Sequence, residues 1–325
     1  MNAAASECDV ICVGIIVADH VCAPIRKFPA PGGLITTPSL ELTIGGCAAN
    51  VSTDLAKLGV KVSLVGCVGN DPFGQYVRSA LAENDVYCEH IRISEKSQTS
   101  ATMVVNVQNE DRRFIHAVGA NTELTGREVS DELLQKSKIV YVGGFGLNPE
   151  LSGENVREMF ARARKLQVTT VLDVVLDRVD DCIEMLKVAL PETDIFLPNQ
   201  DEARLLTGES DPVKQAEIFL SQGAGTVVIT SGPDGSILRD QASSVIHLPA
   251  YQVEQVDGTG GGDAFVAGFL YGVLQGSKPQ QSLMYGSAMG ASCVQHAGAT
   301  TGVFHVEELE EFVKENQLTP TITQI

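Results

Sequence analysis

Short apolar segments alternate with segments of helical periodicity along most of the chain. Buried strands are predicted where the segments are short, apolar and β-branched, at 9–18, 61–69, 137–144, 168–175, 193–199 and 224–232. Helices are predicted where apolar residues recur at helical spacing, at 48–59, 72–84, 150–166, 180–188, 199–207 and 212–222. The alternation predicts an α/β fold, a doubly wound and mainly parallel sheet with helices on both faces.

Two segments interrupt this alternation. Residues 34–44 and 99–117 read as antiparallel strands, with a hairpin turn predicted at 109–111. We interpret them as a small β-sheet lid, formed by about 20–44 and 97–118 and inserted into a single domain that spans residues 1–325. Because the open edges of such a lid need a partner or burial, the lid predicts a homodimer.

Charge and cysteine content limit the class of partner. The net charge is −18 and the 23 Lys and Arg residues form no basic stripe, so no nucleic-acid partner is expected. No apolar run is long enough for a membrane span, and "MNAAASECDV" lacks the pattern of a signal peptide. The eight cysteines include no Cys-x-x-Cys pair, which favours buried free thiols and a cytoplasmic protein.

The stretch "VDGTGGGDAF" (256–265) carries the clearest candidate chemistry. Four glycines lie within five positions, and Asp263 and a predicted helix ending near Gly276 follow them. The first amides of a helix lack intrahelical partners, and glycines let such amides turn inward together as an anion site. A tight turn before a buried helix, with Asp263 only complementing the helix dipole, is the structural alternative.

Two other glycine motifs are excluded. No Gly-x-x-x-x-Gly-Lys-[Ser/Thr] occurs, so the stretch is not a P-loop. A dinucleotide fingerprint needs a third glycine where Asp263 stands, which argues against an NAD-dependent oxidoreductase.

The glycine stretch resembles the second signature of the ribokinase-like (PfkB) carbohydrate kinases. The resemblance rests on Asp257, Thr259, Gly260, Gly262 and Asp263, whereas Gly258 and Gly261 replace the usual Thr and Ala. Further motifs of the family are matched, in the family's order, by "VGIIVADHV" (13–21), "IGGCAAN" (44–50), "LPNQDEA" (197–203), "TSGPDGS" (230–236) and "HAGATTG" (296–302).

The resemblance implies a ribokinase-like fold and an ATP-dependent sugar kinase that uses Mg²⁺. It assigns Asp263 as the general base that faces the sugar hydroxyl. It assigns the phosphoryl-binding amides to Gly260, Gly261 and Gly262. A carboxylate at a helix N-terminus is expected to stay ionised near neutral pH and can accept that proton.

The resemblance also implies the ligand-binding residues. Sugar binding is assigned to Asp19, Gly45, Gly46 and Asn50. Nucleotide binding is assigned to Asn199, Thr230, Gly232, Gly235 and Thr259. Glu202 is implied to organise the hydration shell of Mg²⁺ rather than to ligate it, and a monovalent cation, K⁺, is implied near 296–302.

Purely structural roles remain as alternatives at several of these positions. Asn199 and Glu202 also fit a helix cap with a first-turn acid, and both roles are compatible. Asp19 fits a strand-end turn residue, and Asp173 is as consistent with a structural aspartate as with support of the phosphate site. Cys47 stands where ribokinases commonly carry lysine, which puts a preference for ribose in doubt.

Two other functions remain as alternatives on the same scaffold. A nucleoside kinase usually stacks the base on aromatic residues, and this chain has 5% aromatic residues and no Trp. A catalytically silent sugar-binding regulator is disfavoured because Asp263 and Glu202 are both present.

Overall fold

A computed structural model describes residues 8–108, 110, 113–242 and 244–324. Its strands, in chain order, are β1 (Val10–Gly14), β2 (Val17–Ile25), β3 (Leu40–Gly45), β4 (Val62–Gly69), β5 (Ile91–Ser94), β6 (Ala101–Val107), β7 (Arg113–Ala117), β8 (Ile139–Phe145), β9 (Thr169–Val174), β10 (Ile195–Phe196), β11 (Thr226–Thr230), β12 (Ser236–Asp240), β13 (Ser244–Leu248) and β14 (Thr321–Gln324).

The helices connect these strands. In chain order they are α1 (Cys47–Lys57), α2 (Pro72–Glu83), α3 (Asp131–Gln135), α4 (Gly153–Lys165), α5 (Val179–Ala189), α6 (Gln200–Thr207), α7 (Pro212–Ser221), α8 (Gly261–Leu274), α9 (Pro279–Val294) and α10 (Val306–Glu315). Among the described residues, none of them combines the length and apolarity needed to cross a bilayer.

The large sheet confirms the predicted α/β fold. Its strand order is β14-β13-β12-β11-β10-β9-β8-β1-β4-β5. In this spatial order, the neighbouring strands β11-β10-β9-β8-β1-β4-β5 run parallel to one another. The strands β12, β13 and β14 extend the sheet with antiparallel pairing. The antiparallel end and the helices α3, α9 and α10 were not predicted.

A hydrophobic core lies on each face of this sheet. One core contains the buried faces of α1, α2, α8, α9 and α10, and the other contains those of α4, α5, α6 and α7. Because both faces are covered, the central strands are largely apolar, and every residue of β4 is buried. The carboxyl end of the parallel strand β11 opens onto one of the glycine motifs, at 230–236.

The lid is a separate four-stranded sheet in the order β3-β2-β6-β7. Its antiparallel pairs β2–β3 and β6–β7 confirm the prediction of a small β-lid, and β2 joins the two pairs by running parallel to β6. Of the predicted turn at 109–111, only Glu110 lies within the described residues. Residues 34–39 are not in a strand, so that part of the prediction is wrong.

The predicted strand at 9–18 is in fact two strands in two different sheets. The main chain leaves the large sheet after Gly14 and enters the lid at Val17. The buried side chain of Asn121 stabilises the backbone between the two strands. Its Nδ2 donates to Ile16 O at 3.1 Å, and its Oδ1 accepts from Ile16 N at 3.2 Å. The two apolar runs are continuous in sequence, so periodicity alone could not reveal the change of sheet.

Candidate active site

The glycine loop turns directly into α8, as predicted. Gly260 caps the helix with φ of 76°, and a Cβ at this residue would lie 2.3 Å from the carbonyl oxygen of Ala299. Only glycine fits this backbone without strain. Asp257 shapes the loop, because its Oδ1 accepts from Thr259 N and Oγ1 at 2.9 and 2.7 Å and its Oδ2 accepts from Gly298 N at 3.1 Å.

Asp263 lies in the first turn of α8 and contacts the first turn of α1. Its Oδ2 accepts a hydrogen bond from Asn50 Nδ2 at 2.8 Å. The other amide atom, Asn50 Oδ1, is buried and has no hydrogen-bond partner within the described residues. A buried acceptor in this condition is costly, so a donor such as a substrate hydroxyl would be stabilised beside Asp263.

A cleft of about 140 Å³ brings together much of the predicted site. The predicted residues that line it are Asn199, Glu202, Thr230, Gly260, Gly262 and Asp263. Cys47 and Asp173 line it as well. The other predicted residues are outside this lining: Asp19, Gly45, Gly46, Asn50, Gly232, Gly235, Thr259 and Gly261.

Burial is the main cause of the raised pKa values of the acidic side chains in the cleft. It raises the pKa of Asp263, while hydrogen bonds from Asn50 and Cys47 oppose the shift. The upward direction of this shift leaves the expectation that Asp263 is ionised near neutral pH as a prediction. A raised pKa brings a general base closer to the operating pH.

Two further acids repel Asp263 across the cleft. Burial raises the pKa of Glu202 to about 7, with a smaller contribution from the charge of Asp263. The pKa of Asp173 is raised well above its usual range, first by burial and then by the charges of Glu202 and Asp263. The charges repel one another at close range, so a cation bound among them would be stabilised.

The donor set fits a hard divalent cation. One oxygen each of Asp173 and Asp263 and the Sγ of Cys47 lie within 4.8 Å of one another. Burial and the neighbouring carboxylates raise the pKa of the Cys47 thiol well above its usual range, so it stays protonated and is a poor ligand. The remaining donors are carboxylate oxygens, the ligands that Mg²⁺ prefers.

Asn199 and Glu202 form the helix cap that the structural alternative predicted. Asn199 Oδ1 accepts from Glu202 N, and Glu202 Oε2 accepts from Asn199 N, both at 2.9 Å. This capping box fixes both side chains at the start of α6, on the edge of the cleft. The cap and a role at the phosphates are compatible, because Asn199 Nδ2 and one carboxylate oxygen of Glu202 are not used in the box.

Asp19 lies in β2 of the lid, close to the glycine pair that precedes α1. A Cβ on Gly45 would lie 2.0 Å from Asp19 Oδ2, so the carboxylate can occupy this position only against a glycine. Burial raises the pKa of Asp19 to about 6; a hydrogen bond from the Thr102 side chain lowers it, and the charge of Asp263 raises it further. The negative charges of Asp19 and Asp263 therefore repel each other across the site.

The predicted nucleotide loop follows β11. Residues Gly232–Asp234 form a short 3₁₀ turn, and Gly235 begins the return into β12. Thr230 at the end of β11 reaches the cleft, and its backbone forms a parallel bridge with Asn199. The loop is therefore tied to the start of α6.

The sequence motifs identify only part of this cleft. The sequence is equally consistent with a structural role and a phosphate-site role for Asp173, although its position at the carboxyl end of β9 favours a site residue. Cys47 was considered only as a departure from ribokinases. Tyr141, whose hydroxyl donates to Asp173 Oδ2 at 3.0 Å, was missed because it lies in a uniformly buried strand with no distinguishing pattern.

Comparison with known proteins identifies the family. Residues 8–305 match the sequence model of the pfkB family carbohydrate kinase. The chain belongs to this family. It is therefore a phosphotransferase that acts on a hydroxyl group, with a ribokinase-like fold.

The chain is similar to ribokinases over nearly its whole length. It is 27% identical over 312 residues to the ribokinase of Haemophilus influenzae, covering 93% of this chain and 97% of that one. The structure of Arabidopsis thaliana ribokinase complexed with ribose and ATP matches with a TM-score of 0.83 at 23% identity, covering 95% of this chain and 99% of that one. A putative ribokinase II from E. coli in complex with ATP and Mg²⁺ matches with a TM-score of 0.78 at 23% identity, covering 95% and 100%.

Proposed function

We propose that the protein is an ATP-dependent sugar kinase that transfers the γ-phosphoryl group to a hydroxyl of a monosaccharide or sugar derivative. The observation that carries the proposal is the position of Asp263. Its carboxylate lies at the N-terminus of α8, beside the amides of the glycine loop, and accepts a hydrogen bond from Asn50.

Asp263 would act as the general base. It accepts the proton of the sugar hydroxyl as the oxygen attacks the phosphorus atom. Asn50 would hold a neighbouring hydroxyl of the acceptor, because its buried Oδ1 can accept a hydrogen bond. The raised pKa of Asp263 supports this role, since the carboxylate gains from taking up a proton.

The amides of Gly260, Gly261 and Gly262 would stabilise the phosphoryl oxygens. Gly260 caps α8, and Gly261 and Gly262 begin it. The amides of Gly260 and Gly262 have no acceptor within the described residues, so they can donate where negative charge develops. Gly261 N donates to Gly258 O at 3.3 Å and would release this long bond to bind a phosphoryl oxygen. Gly262 is exposed, and a Cβ there would contact nothing within 4 Å among the described residues. Space for a phosphoryl group is thus available at the loop.

Mg²⁺ would be held by Glu202 through water, with Asp173 in support. When bound, it neutralises charge on the phosphate oxygens. The carboxylate donors and their mutual repulsion support this site. The E. coli relative that contains ATP and Mg²⁺ supports the same cofactor pair here.

The nucleotide would bind along the loops that border this cleft. Asn199 and Thr230 are suited to the phosphates, since both line the cleft. Gly232 and Gly235 would accommodate the rest of the nucleotide, and Thr259 would support the glycine loop through its bonds to Asp257.

The sugar would bind between the lid and the glycine pair. Asp19 is suited to hydroxyl recognition because it is a half-buried carboxylate that lies against Gly45. Gly45 and Gly46 would allow the backbone to approach the sugar closely. The ribose and ATP named for the Arabidopsis ribokinase support an arrangement in which acceptor and nucleotide bind together.

We propose that the protein is a homodimer that forms through the lid. Three apolar side chains on the outer face of the lid are largely exposed: Leu40 at 66%, Met103 at 53% and Ile115 at 64%. Exposed apolar side chains on one face of a sheet favour burial against a second copy. Light scattering should give the mass of a dimer, and a monomer at assay concentration would contradict this proposal.

Two finer proposals concern the ion and the compartment. K⁺ bound near 296–302 would act on the glycine loop, because Gly298 N donates to Asp257 Oδ2. Exchange of K⁺ for tetramethylammonium in the assay should then lower kcat. All eight cysteines are free thiols, which supports a cytoplasmic location.

ADP release should be measured with pentoses, hexoses, sugar acids, sugar phosphates and nucleosides as acceptors. The proposal expects acceptor-dependent ADP release with a sugar or sugar derivative. Release with nucleosides alone would identify a nucleoside kinase. Acceptor binding without ADP release would identify a silent sugar-binding regulator and refute catalysis.

A further inference from the structure

Three polar side chains form the inner face of the lid: Asp19, Thr102 and His116. Asp19 of β2 lies opposite Thr102 of β6, and Thr102 lies opposite His116 of β7. Residues directly opposite one another in a sheet project from the same face. Thr102 and His116 therefore share the face of Asp19, although the sequence motifs assign neither of them to the site.

Polar contacts connect the three side chains. Thr102 Oγ1 lies 3.0 Å from His116 Nδ1. The Thr102 side chain also lies opposite Asp19, and its interaction with that carboxylate lowers the pKa of Asp19. An ionised carboxylate can only accept, so the single hydroxyl proton of Thr102 is directed to Asp19.

This arrangement favours one tautomer of His116. When the Thr102 hydroxyl donates to the Asp19 carboxylate, the Thr102 oxygen accepts from His116, and Nδ1 carries the ring proton. Burial lowers the pKa of His116, partly offset by the charge of Asp177, so the ring is neutral. In a neutral imidazole with its proton on Nδ1, Nε2 is a hydrogen-bond acceptor.

His116 Nε2 is buried and has no hydrogen-bond partner within the described residues. An apolar residue would fill the same place without leaving a buried acceptor unpaired. The unpaired atom thus indicates that a ligand donor reaches it.

We propose that His116 is a substrate-specificity residue whose Nε2 accepts a hydrogen bond from a hydroxyl of the acceptor, while Asp19 accepts from a second hydroxyl. The inference rests on the proposed kinase function. It defines the acceptor as a polyol with two hydroxyl groups on the side that faces the lid. Thr102 is a positioning residue, because it acts by setting the His116 tautomer.

Steady-state kinetics should be measured for His116→Leu and His116→Gln with D-ribose, D-fructose and inosine. For each acceptor that the wild type phosphorylates, His116→Leu should raise the acceptor KM about fivefold to tenfold, the value of one neutral hydrogen bond. The kcat and the KM for ATP should stay within about twofold. His116→Gln should recover part of the loss, because its amide oxygen can accept.

The matched control is His20→Leu. His20 is the neighbour of Asp19 in β2 and projects from the opposite face of the lid, where its ring packs against Phe73 at 4.9 Å. This variant should leave the acceptor KM unchanged. Equal effects of the two leucine variants would overturn the role of His116.

A second readout does not need turnover. Nitrogen-15 NMR should be recorded on the histidine rings, and the His116 signals are identified by their absence from a His116 variant. The His116 proton should be on Nδ1 in the wild type and should no longer be on Nδ1 in Thr102→Val. A proton on Nε2 in the wild type, or an unchanged acceptor KM in His116→Leu, would overturn the inference and leave the kinase proposal standing. Absence of acceptor-dependent ADP release by the wild type across the full panel of pentoses, hexoses, sugar acids, sugar phosphates and nucleosides would contradict the kinase proposal instead.

Discussion

Asp263→Asn separates a catalytic aspartate from one that only caps a helix. The carboxylate accepts from Asn50 at 2.8 Å, and the carbonyl oxygen of an asparagine can accept the same bond. Burial raises the pKa of Asp263, which means that the ionised form is disfavoured in the folded protein. Loss of the charge should therefore leave the melting temperature unchanged or raise it.

The expected loss of activity is large. Removal of a general base typically lowers the rate about 10²-fold to 10⁴-fold, or about 3–5 kcal/mol of transition-state stabilisation. The groups that would donate hydrogen bonds to the phosphoryl oxygens are backbone amides of the glycine loop, and this substitution does not change them. The KM for ATP should therefore stay within about twofold while kcat falls.

Steady-state kinetics and a melting curve on the same preparation test this prediction. Asp173→Asn is the matched control, because it removes a carboxylate from the same cluster but not the group bonded to Asn50. Its side-chain oxygen can still accept from Tyr141, so kcat should fall less than about tenfold. A folded Asp263→Asn variant with wild-type kcat would refute the general-base assignment.

Three further predictions follow from the cleft and the core. Glu202→Gln should keep the capping box but raise the magnesium concentration needed for half-maximal rate and lower kcat, and an unchanged magnesium dependence would remove Glu202 from the site. Burial raises the pKa of Asp54 well above its ordinary value of 3.8, so the unfolded chain releases this proton at lower pH and stability falls as pH rises above that value. Asp54→Asn cannot ionise, and its stability gain in urea unfolding should grow from pH 4 to pH 8; a pH-independent difference would contradict this. D-ribose should not give the highest kcat/KM of the acceptor panel, because Cys47 lies in the cleft where ribokinases commonly carry lysine.

Periodicity predicted the central elements well because those elements are buried on one or both faces. The helix at 212–222 is observed as α7 at Pro212–Ser221, and the strand at 61–69 as β4 at Val62–Gly69. The helix has apolar residues at helical spacing, and the strand is a short, largely apolar run that is buried on both faces. Prediction was weaker where tertiary contacts decide the structure, as at Ile16, where the distant Asn121 separates two strands.

The candidate site was predictable where glycines and acids form recognisable motifs. Asp263 and Asn50 were both assigned from sequence, and the structure brings them into contact. His116 could not be assigned in this way. Its importance depends on cross-strand pairing with Thr102 and on the burial of Nε2, which are properties of the folded lid.

Direct observation of the transferred phosphoryl group tests the central claim most clearly. The protein, Mg²⁺, ATP and each acceptor should be followed by phosphorus-31 NMR, with Asp263→Asn measured in parallel. We expect a new phosphomonoester signal that requires both acceptor and ATP, with stoichiometric ADP, and that is lost in the variant on the same timescale. Phosphate release without a phosphomonoester for any acceptor, or equal product from the variant, would contradict it.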